Sequence, residues 1–169
     1  IWRNVVDRKL YVTGGIGSTG SGEAFGIDYE LPNMSAYNET CAAIGNDFWN
    51  HRLFLLHADA RYVDVMERTL YNGLLSGVSL DGKSFFYPNP LESNGQHERS
   101  PWFGVACCPG NITRFLASVP GYVYARSGDA LYVNLYAAGR ANVDVGGGRR
   151  LEITQATRYP WDGAVRLTL

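Results

Sequence analysis

The sequence of 169 residues lacks several features by which whole classes of protein are recognised. It contains no apolar run of about 18 residues, so we expect no transmembrane helix. It contains no run of like charge, and its formal net charge is −1, which argues against a nucleic-acid-binding surface. Charged residues make up only 18% of the chain and hydrophobic residues 46%. This balance excludes an intrinsically disordered protein and allows a buried core.

Cysteine is scarce as well, with Cys41, Cys107 and Cys108 as the full complement. An odd number cannot close a complete disulfide framework, and adjacent cysteines rarely bridge each other. We therefore expect reduced thiols, kept so by a bound metal or by a reducing compartment. A reducing compartment favours the cytoplasm over a secreted location. The chain begins without methionine or a signal peptide, so we expect it to be an internal fragment of a larger protein.

The first 120 residues carry mainly helical patterns. After a short helix over residues 1–9, apolar spacing predicts two antiparallel helices joined by a short turn. The apolar positions of the first are Ala42, Ala43, Ile44, Phe48, Leu53 and Leu56. The second runs from about residue 60 to residue 75, with Asp59 as its N-cap. Its apolar positions are Tyr62, Val63, Met66, Leu70 and Leu74.

The patterns after residue 77 are those of strands and turns. Residues 78–80 and 85–87 flank an Asp81-Gly82 turn, which predicts a hairpin. From residue 121 onward, alternation predicts strands, and these lie at 122–125, 130–136, 141–145, 149–157 and 164–169. The change from helices to strands indicates a boundary between a domain of residues 1–120 and a domain of residues 121–169.

A glycine-rich loop occupies residues 14–23 and ends at Glu23. Its spacing matches neither GxGxxG nor GxxxxGK[ST], and it lacks a strand–turn–helix context, which argues against a phosphate cradle. We interpret it as a loop that carries Glu23 toward a cleft, since glycine lets a backbone approach a ligand closely.

The adjacent cysteines Cys107 and Cys108 stand just before a predicted helix start. Pro109 suits a first helical turn, and Asn111 can cap the N–H groups that follow. The apolar stripe of this short helix consists of Ile112, Phe115, Leu116 and Val119. Thiols near a helix N-terminus have lowered pKa values. Two cysteines in succession at such a place indicate a metal-ligand pair or a nucleophile.

Glu39 and the three cysteines form a donor set that suits tetrahedral Zn²⁺, because this ion accepts sulfur and oxygen ligands. The spacing is not that of a zinc finger, so buried cysteines beside a surface glutamate are the alternative. Residues 39 and 41 lie about 200° apart on a regular helix. They can face one metal only where the helix is just beginning, and Ser35 and Asn38 make such a late start feasible.

Blocks of sequence in a fixed order connect these residues. They are Tyr11-Val12-Thr13-Gly14-Gly15-Ile16-Gly17, Glu23, Asp28-Tyr29-Glu30-Leu31-Pro32-Asn33, Tyr37, Glu39-Thr40-Cys41, Glu67-Arg68-Thr69-Leu70-Tyr71-Asn72-Gly73, Phe85-Phe86-Tyr87-Pro88-Asn89-Pro90-Leu91 and Cys107-Cys108-Pro109-Gly110-Asn111. From about residue 2 to residue 136, the chain thereby resembles glycoside hydrolase family 127, typified by β-L-arabinofuranosidase. The strands after residue 136 resemble the following β-sandwich of that family in pattern only.

The resemblance implies a fold and a metal site. Residues 1–120 are expected to be the C-terminal portion of an (α/α)6 barrel, and residues 121–169 the beginning of a β-sandwich. The site implied is a zinc ion held by Glu39, Cys41, Cys107 and Cys108.

The resemblance also implies an activity, that of a retaining hydrolase of β-L-arabinofuranosides or related glycans. The nucleophile is then Cys107, the general acid/base is Glu23, and Tyr87 lines the sugar site. The expected partner is an oligosaccharide or glycan, and a homodimer is compatible with the sequence.

Two other interpretations stay open. In the first, zinc staples a structural or carbohydrate-binding module that has no turnover. In the second, Cys107 and a histidine form a metal-free thiol hydrolase. The histidines His51, His57 and His97 match no block of the family, so we interpret them as surface or packing residues.

Overall fold

The computed structural model describes residues 1–169, which divide into one unit of residues 1–117 and a second of residues 118–169. The helices are α1 (Trp2–Arg8), α2 (Thr40–His57), α3 (Ala60–Thr69) and α4 (Cys107–Ser118). None of them combines the length and the apolar character that crossing a bilayer requires.

Helices α2 and α3 form the predicted pair. Helix α2 ends at His57, and the left-handed Ala58 turns the chain (φ 50°). The side chain of Asp59 then accepts a hydrogen bond from the N–H of Arg61, which confirms the predicted cap. The apolar residues predicted for the second helix are all buried. Beyond Thr69 the helix widens into a π turn (Leu70–Leu74) and ends in a 3₁₀ turn (Leu75–Gly77).

The buried face of α2 is largely polar, which sequence patterning did not predict. Asn46, Asp47 and Asn50 are at most 2% exposed, whereas the predicted core residue Leu56 is 75% exposed. The amide of Asn46 donates to the Gly14 carbonyl (3.3 Å) and that of Asn50 to the Asn46 carbonyl (2.9 Å), so hydrogen bonds replace apolar packing at these two residues. The prediction was wrong for Leu56, which faces outward, and confirmed for Ala43 and Ile44, which are buried. Phe48 is partly exposed (36%), although one side of its ring contacts a buried ring.

The predicted hairpin at 78–87 is reduced to single bridges, Val78 with Phe85 and Phe85 with Ser100. The bridge of Val78 with Phe85 is closed by the Phe86 N–H, which donates to the Gly77 carbonyl (3.0 Å). The pairing goes no further because the next carbonyl, that of Tyr87, accepts from the N–H of Thr40 (3.0 Å). The predicted second strand is therefore drawn to the start of α2.

The second unit consists of antiparallel strands. Strands β1 (Tyr124–Ser127) and β2 (Ala130–Val133) form one pair, and β3 (Gly139–Gly146), β4 (Arg149–Thr157) and β5 (Val165–Thr168) form a sheet in that order. Alternation along β4 buries Ile153 and Gln155. All five predicted strands are present, with bounds shifted by a few residues.

Candidate metal centre

Helix α4 begins at Cys107, earlier than its sequence indicates. Pro109 is its third residue, where a missing N–H has no intrahelical acceptor to lose. The prediction that Asn111 caps this helix was wrong, since Asn111 lies inside it. Cys108, Ile112 and Phe115 are buried at helical spacing, and the Phe115 ring packs edge-on against that of Phe48 (5.5 Å). This packing turns the Cys108 side chain inward.

Glu39 and Cys41 converge because α2 begins between them. Glu39 is the N-cap residue with an extended backbone (φ −58°, ψ 138°), and Cys41 lies in the first turn. The preceding residue, Asn38, has a left-handed backbone (φ 40°). The expected late helix start is therefore present, and residues 39 and 41 are not on one regular helix.

A hydrogen-bonded clamp fixes this helix start. Besides its N–H bond to Tyr87, Thr40 donates from Oγ1 to the Phe86 carbonyl (2.8 Å). The amide of Asn89 donates to the Asn38 carbonyl (2.9 Å) and to Thr40 Oγ1 (3.0 Å). The turn that carries Glu39 and Cys41 is thereby held against residues 86–89.

The predicted donor atoms of Glu39, Cys41, Cys107 and Cys108 lie within 4.8 Å of one another. The sulfur of Cys108 is 3.3 Å from that of Cys41 and 3.8 Å from that of Cys107. Glu39 Oε1 is 3.5 Å from the sulfurs of both Cys107 and Cys108. Zinc–sulfur bonds of about 2.3 Å in a tetrahedron imply edges of about 3.8 Å between donors. The cluster therefore has the size of a tetrahedral metal site.

The protonation of the three thiols also suits a cation. The hydrogen bond with Cys108 lowers the pKa of the Cys41 thiol to about 7, and donation from the Asn111 amide (3.0 Å) adds to this effect. Burial raises the pKa of Cys107, and the same bond with Cys41 raises that of Cys108. Cys107 and Cys108 therefore favour the protonated form, and ionisation of all three thiols would require a compensating charge such as that of a divalent cation.

Tyr87 borders the cluster on the side of Cys107. Its hydroxyl is 2.9 Å from the Cys107 sulfur, and this hydrogen bond raises the pKa of Tyr87, so the phenol keeps its proton. The Tyr87 ring is held edge-on by Phe103 (5.4 Å) and lies beside the ring of Tyr37 (6.3 Å).

Glu23 lies outside the cluster, on an exposed 3₁₀ turn (Ser21–Glu23). Its Oε1 accepts a hydrogen bond from the hydroxyl of Tyr37 (3.0 Å). Sequence reasoning gave Tyr37 no role, although Tyr37 stands in one of the blocks that carry the family resemblance. A tyrosine two residues before a metal ligand was the available signal.

Two histidines pack against aromatic rings. His97 Nε2 is 3.0 Å from the Pro88 carbonyl, and its ring stacks on Phe86 (4.5 Å). The His57 ring lies 5.7 Å from that of Tyr62.

Two models of known protein families match this chain. The model of the β-L-arabinofuranosidase GH127 catalytic domain matches residues 1–121, and that of the GH127 middle domain matches residues 130–169. A non-reducing end β-L-arabinofuranosidase of Bifidobacterium longum subsp. longum is 39% identical over 181 aligned positions, which cover 99% of this chain and 27% of that protein.

Solved structures give the same result. A GH127 β-arabinofuranosidase is 63% identical with a TM-score of 0.96, and the match covers 99% of this chain and 26% of that one. A GH127 β-L-arabinofuranosidase from Geobacillus stearothermophilus T6 is 47% identical with a TM-score of 0.92, covering 99% and 28%. The chain thus spans about a quarter of the length of these relatives. With its catalytic-domain match, its close structural relatives and its convergent Glu/Cys₃ cluster, the chain belongs to glycoside hydrolase family 127.

Proposed function

We propose that the protein containing this chain is a retaining hydrolase of β-L-arabinofuranosides or related glycans. In this proposal Cys107 is the nucleophile and Glu23 the general acid/base. The observation that carries it is a cluster of four metal-type donors in which a partly accessible sulfur faces a tyrosine hydroxyl. The names of the relatives supply the sugar.

The surroundings of the three sulfurs favour Cys107. Cys108 has no exposed surface, so its sulfur cannot reach a sugar. The sulfur of Cys41 accepts the amide of Asn111, which occupies one of its approaches. Cys107 lies at the edge of the cluster, and its hydrogen bond with Tyr87 supports placement of its sulfur beside a bound ring.

Each residue then has a defined step. The Cys107 sulfur forms a bond to the anomeric carbon while the bond from that carbon to the departing oxygen breaks, and Glu23 gives its proton to that oxygen. Glu23 next takes a proton from water, whose oxygen bonds to the anomeric carbon as the carbon–sulfur bond breaks. Two displacements at one carbon retain its configuration.

The residues that hold the metal in this proposal are Glu39, Cys41, Cys107 and Cys108, and zinc is the ion that their chemistry favours. What zinc supplies when bound is stabilisation of the thiolate form of its cysteine ligands near neutral pH. The clamp around Thr40 keeps the ligand-bearing turn in place. When Cys107 is a thiolate, its contact of 2.9 Å with the Tyr87 hydroxyl can only be a hydrogen bond that the hydroxyl donates.

We also propose the architecture of the family, with residues 1–120 in an (α/α)6 barrel and residues 121–169 opening a β-sandwich. Helix α2 supports the first assignment. It has a buried polar face and also exposed apolar residues, Phe48, Leu55 and Leu56, which suits a helix that has neighbours on more than one side. The antiparallel strands after residue 121 support the second assignment.

Specific contacts argue against the metal-free thiol hydrolase. Cys107 is hydrogen-bonded to Tyr87, Glu39 and Cys108. His97 is bonded to the Pro88 carbonyl instead. The remaining alternative is a zinc-stapled module, which predicts bound zinc without any hydrolysis of a glycoside.

The test uses a protein of family length that carries this chain. Metal analysis and hydrolysis of an aryl β-L-arabinofuranoside are measured together, and NMR identifies the first-formed anomer. We expect one zinc ion per chain, turnover with retention, and loss of turnover in Cys107→Ala. Zinc without turnover supports the structural module, and an inverted product contradicts the double displacement.

A further inference from the structure

The Tyr37 side chain connects the two groups that react in the proposed function. Its hydroxyl donates to Glu23 Oε1 (3.0 Å). The centre of its ring lies 6.3 Å from that of the Tyr87 ring, with an angle of 50° between the ring planes. The Tyr87 hydroxyl is hydrogen-bonded to the sulfur of Cys107. A continuous path of side chains therefore runs from the general acid/base to the nucleophile.

Glu23 needs such support because its own segment holds it weakly. Its side chain is exposed, and its backbone is left-handed (φ 51°) directly after the left-handed Gly22 (φ 69°). The turn is closed by the backbone pair of Thr19 and Ala24. This pairing fixes the backbone of the turn but not the side chain of Glu23. A solvent-exposed glutamate has several rotamers, and the bond from Tyr37 favours one of them.

Tyr37 itself is held firmly. A Cβ on Gly20 would lie 3.2 Å from the Tyr37 ring, so the absence of a side chain there lets the ring pack against the loop that carries Glu23. The Tyr37 carbonyl accepts from the N–H of Asn89 (2.9 Å), the same residue whose amide clamps the start of α2. Tyr37 is thus anchored to the frame of the metal centre.

We propose that Tyr37 is a positioning residue that holds the carboxyl of Glu23 at the correct place relative to Cys107. This inference rests on the proposed function, because it acts through Glu23. It assigns Tyr37 no contact with the reacting bond. The consequence concerns the first displacement, which kcat/KM reports: the hydroxyl of Tyr37 matters there when the departing group needs a proton and matters little when it does not.

The first test compares Tyr37→Phe with the unmodified protein of family length on two substrates. The 4-nitrophenolate of a 4-nitrophenyl β-L-arabinofuranoside departs without protonation. The methoxide of the methyl glycoside must be protonated as it departs. We expect kcat/KM for the methyl glycoside to fall by about 10- to 100-fold, because small misplacements of a catalytic group have effects of this size. The kcat/KM for the nitrophenyl glycoside and the zinc content of the protein should change little.

Tyr11→Phe is the matched control. Its hydroxyl also makes one hydrogen bond, to the Pro32 carbonyl (3.2 Å), so the variant loses the same kind of contact away from the site. Gly20→Ala is a second variant that keeps the Tyr37 hydroxyl but crowds its ring. It should reduce cleavage of the methyl glycoside more than that of the nitrophenyl glycoside. If Tyr37→Phe fails to fold, this variant alone tests the positioning role of Tyr37.

A double-mutant cycle separates this inference from the proposed function. Glu23→Gln alone should reduce methyl-glycoside cleavage by about 10²- to 10⁴-fold, and adding Tyr37→Phe should then change little. Equal losses on both substrates in Tyr37→Phe, or full additivity with Glu23→Gln, overturn the role of Tyr37. A Glu23→Gln variant with unchanged methyl-glycoside cleavage contradicts the proposed function itself.

Discussion

The side-chain amide of Asn111 donates a hydrogen bond of 3.0 Å to the sulfur of Cys41, across 70 residues of sequence. This bond joins α4, which carries Cys107 and Cys108, to the first turn of α2. Its acceptor is a predicted metal ligand, so Asn111 both orients that ligand and stabilises its negative charge.

We therefore expect Asn111→Ala to weaken zinc affinity by about 10- to 100-fold, the usual effect of losing a partner of a metal ligand. Competition with a chelator measures the affinity. Asn72→Ala is the control, since the Asn72 amide bonds to the Arg68 carbonyl on an exposed surface. Equal zinc affinity in the Asn111 and Asn72 variants would show that the bond to Cys41 has no influence on the metal.

The clamp at the start of α2 gives a second prediction. Asn89→Ala removes donors to the Asn38 carbonyl and to Thr40 Oγ1, so it should lower the free energy of unfolding by about 1–3 kcal/mol. Zinc affinity should fall too, because the clamped turn carries two of the proposed ligands, Glu39 and Cys41. Urea unfolding and chelator competition measure both quantities. Asn94→Ala, at an exposed position later in the same loop, should leave both unchanged, and an equally stable Asn89→Ala variant would contradict the clamp.

Asp47 gives a prediction about pH. Its carboxylate is fully buried without a hydrogen-bond partner, and burial raises its pKa well above the ordinary value of 3.8. Between the unfolded and folded pKa values the folded state binds the extra proton, so stability falls as pH rises, by at most about 1.4 kcal/mol per pH unit.

Asp47→Asn lacks this titration and should lose that slope. Urea unfolding of both proteins between about pH 5 and pH 8 measures the difference. As pH rises, the free energy of unfolding of Asp47→Asn should increase relative to that of the unmodified protein. Curves that stay parallel would mean that the Asp47 carboxyl does not take up a proton on folding.

Two glycines form a matched pair. A Cβ on Gly14 would lie 2.6 Å from Thr69 Cα, and the Gly14 backbone is left-handed (φ 83°), so Gly14→Ala should destabilise the fold by about 1–3 kcal/mol or more. Gly45 lies within α2 with no atom near its added Cβ, so Gly45→Ala should stabilise by about 0.5–1 kcal/mol. Melting temperatures test both: a Gly14→Ala variant that melts no lower would contradict the close packing at Gly14, and a Gly45→Ala variant that melts lower would contradict the open space at Gly45.

The parts of the fold that follow local patterns were predictable from sequence. The Asp59 cap, the buried stripe of α3 and the alternation of β4 each depend on a few neighbouring residues. The buried face of α2 was not predictable in this way, because Asn46 is buried through hydrogen bonds to Gly14 and Thr69, which lie far away in sequence.

The donor set of the site was predictable because its residue types are characteristic of zinc. A late helix start was also anticipated from Ser35 and Asn38, but the extended backbone of Glu39 and the left-handed Asn38 that produce it are visible only in the structure. Asn111 shows the same limit. A helix cap is a local role that the sequence suggests, whereas its actual bond to Cys41 exists only in the folded chain.

The most direct test is to trap the sugar on its nucleophile. In Glu23→Gln, an activated aryl β-L-arabinofuranoside should still react with Cys107, because its leaving group needs no proton, but the second displacement lacks its base and is slow. Intact-protein mass spectrometry with peptide mapping should then find one pentosyl group on Cys107. A pentosyl group on Glu39 or another residue, or turnover with no covalent adduct, would contradict a cysteine nucleophile.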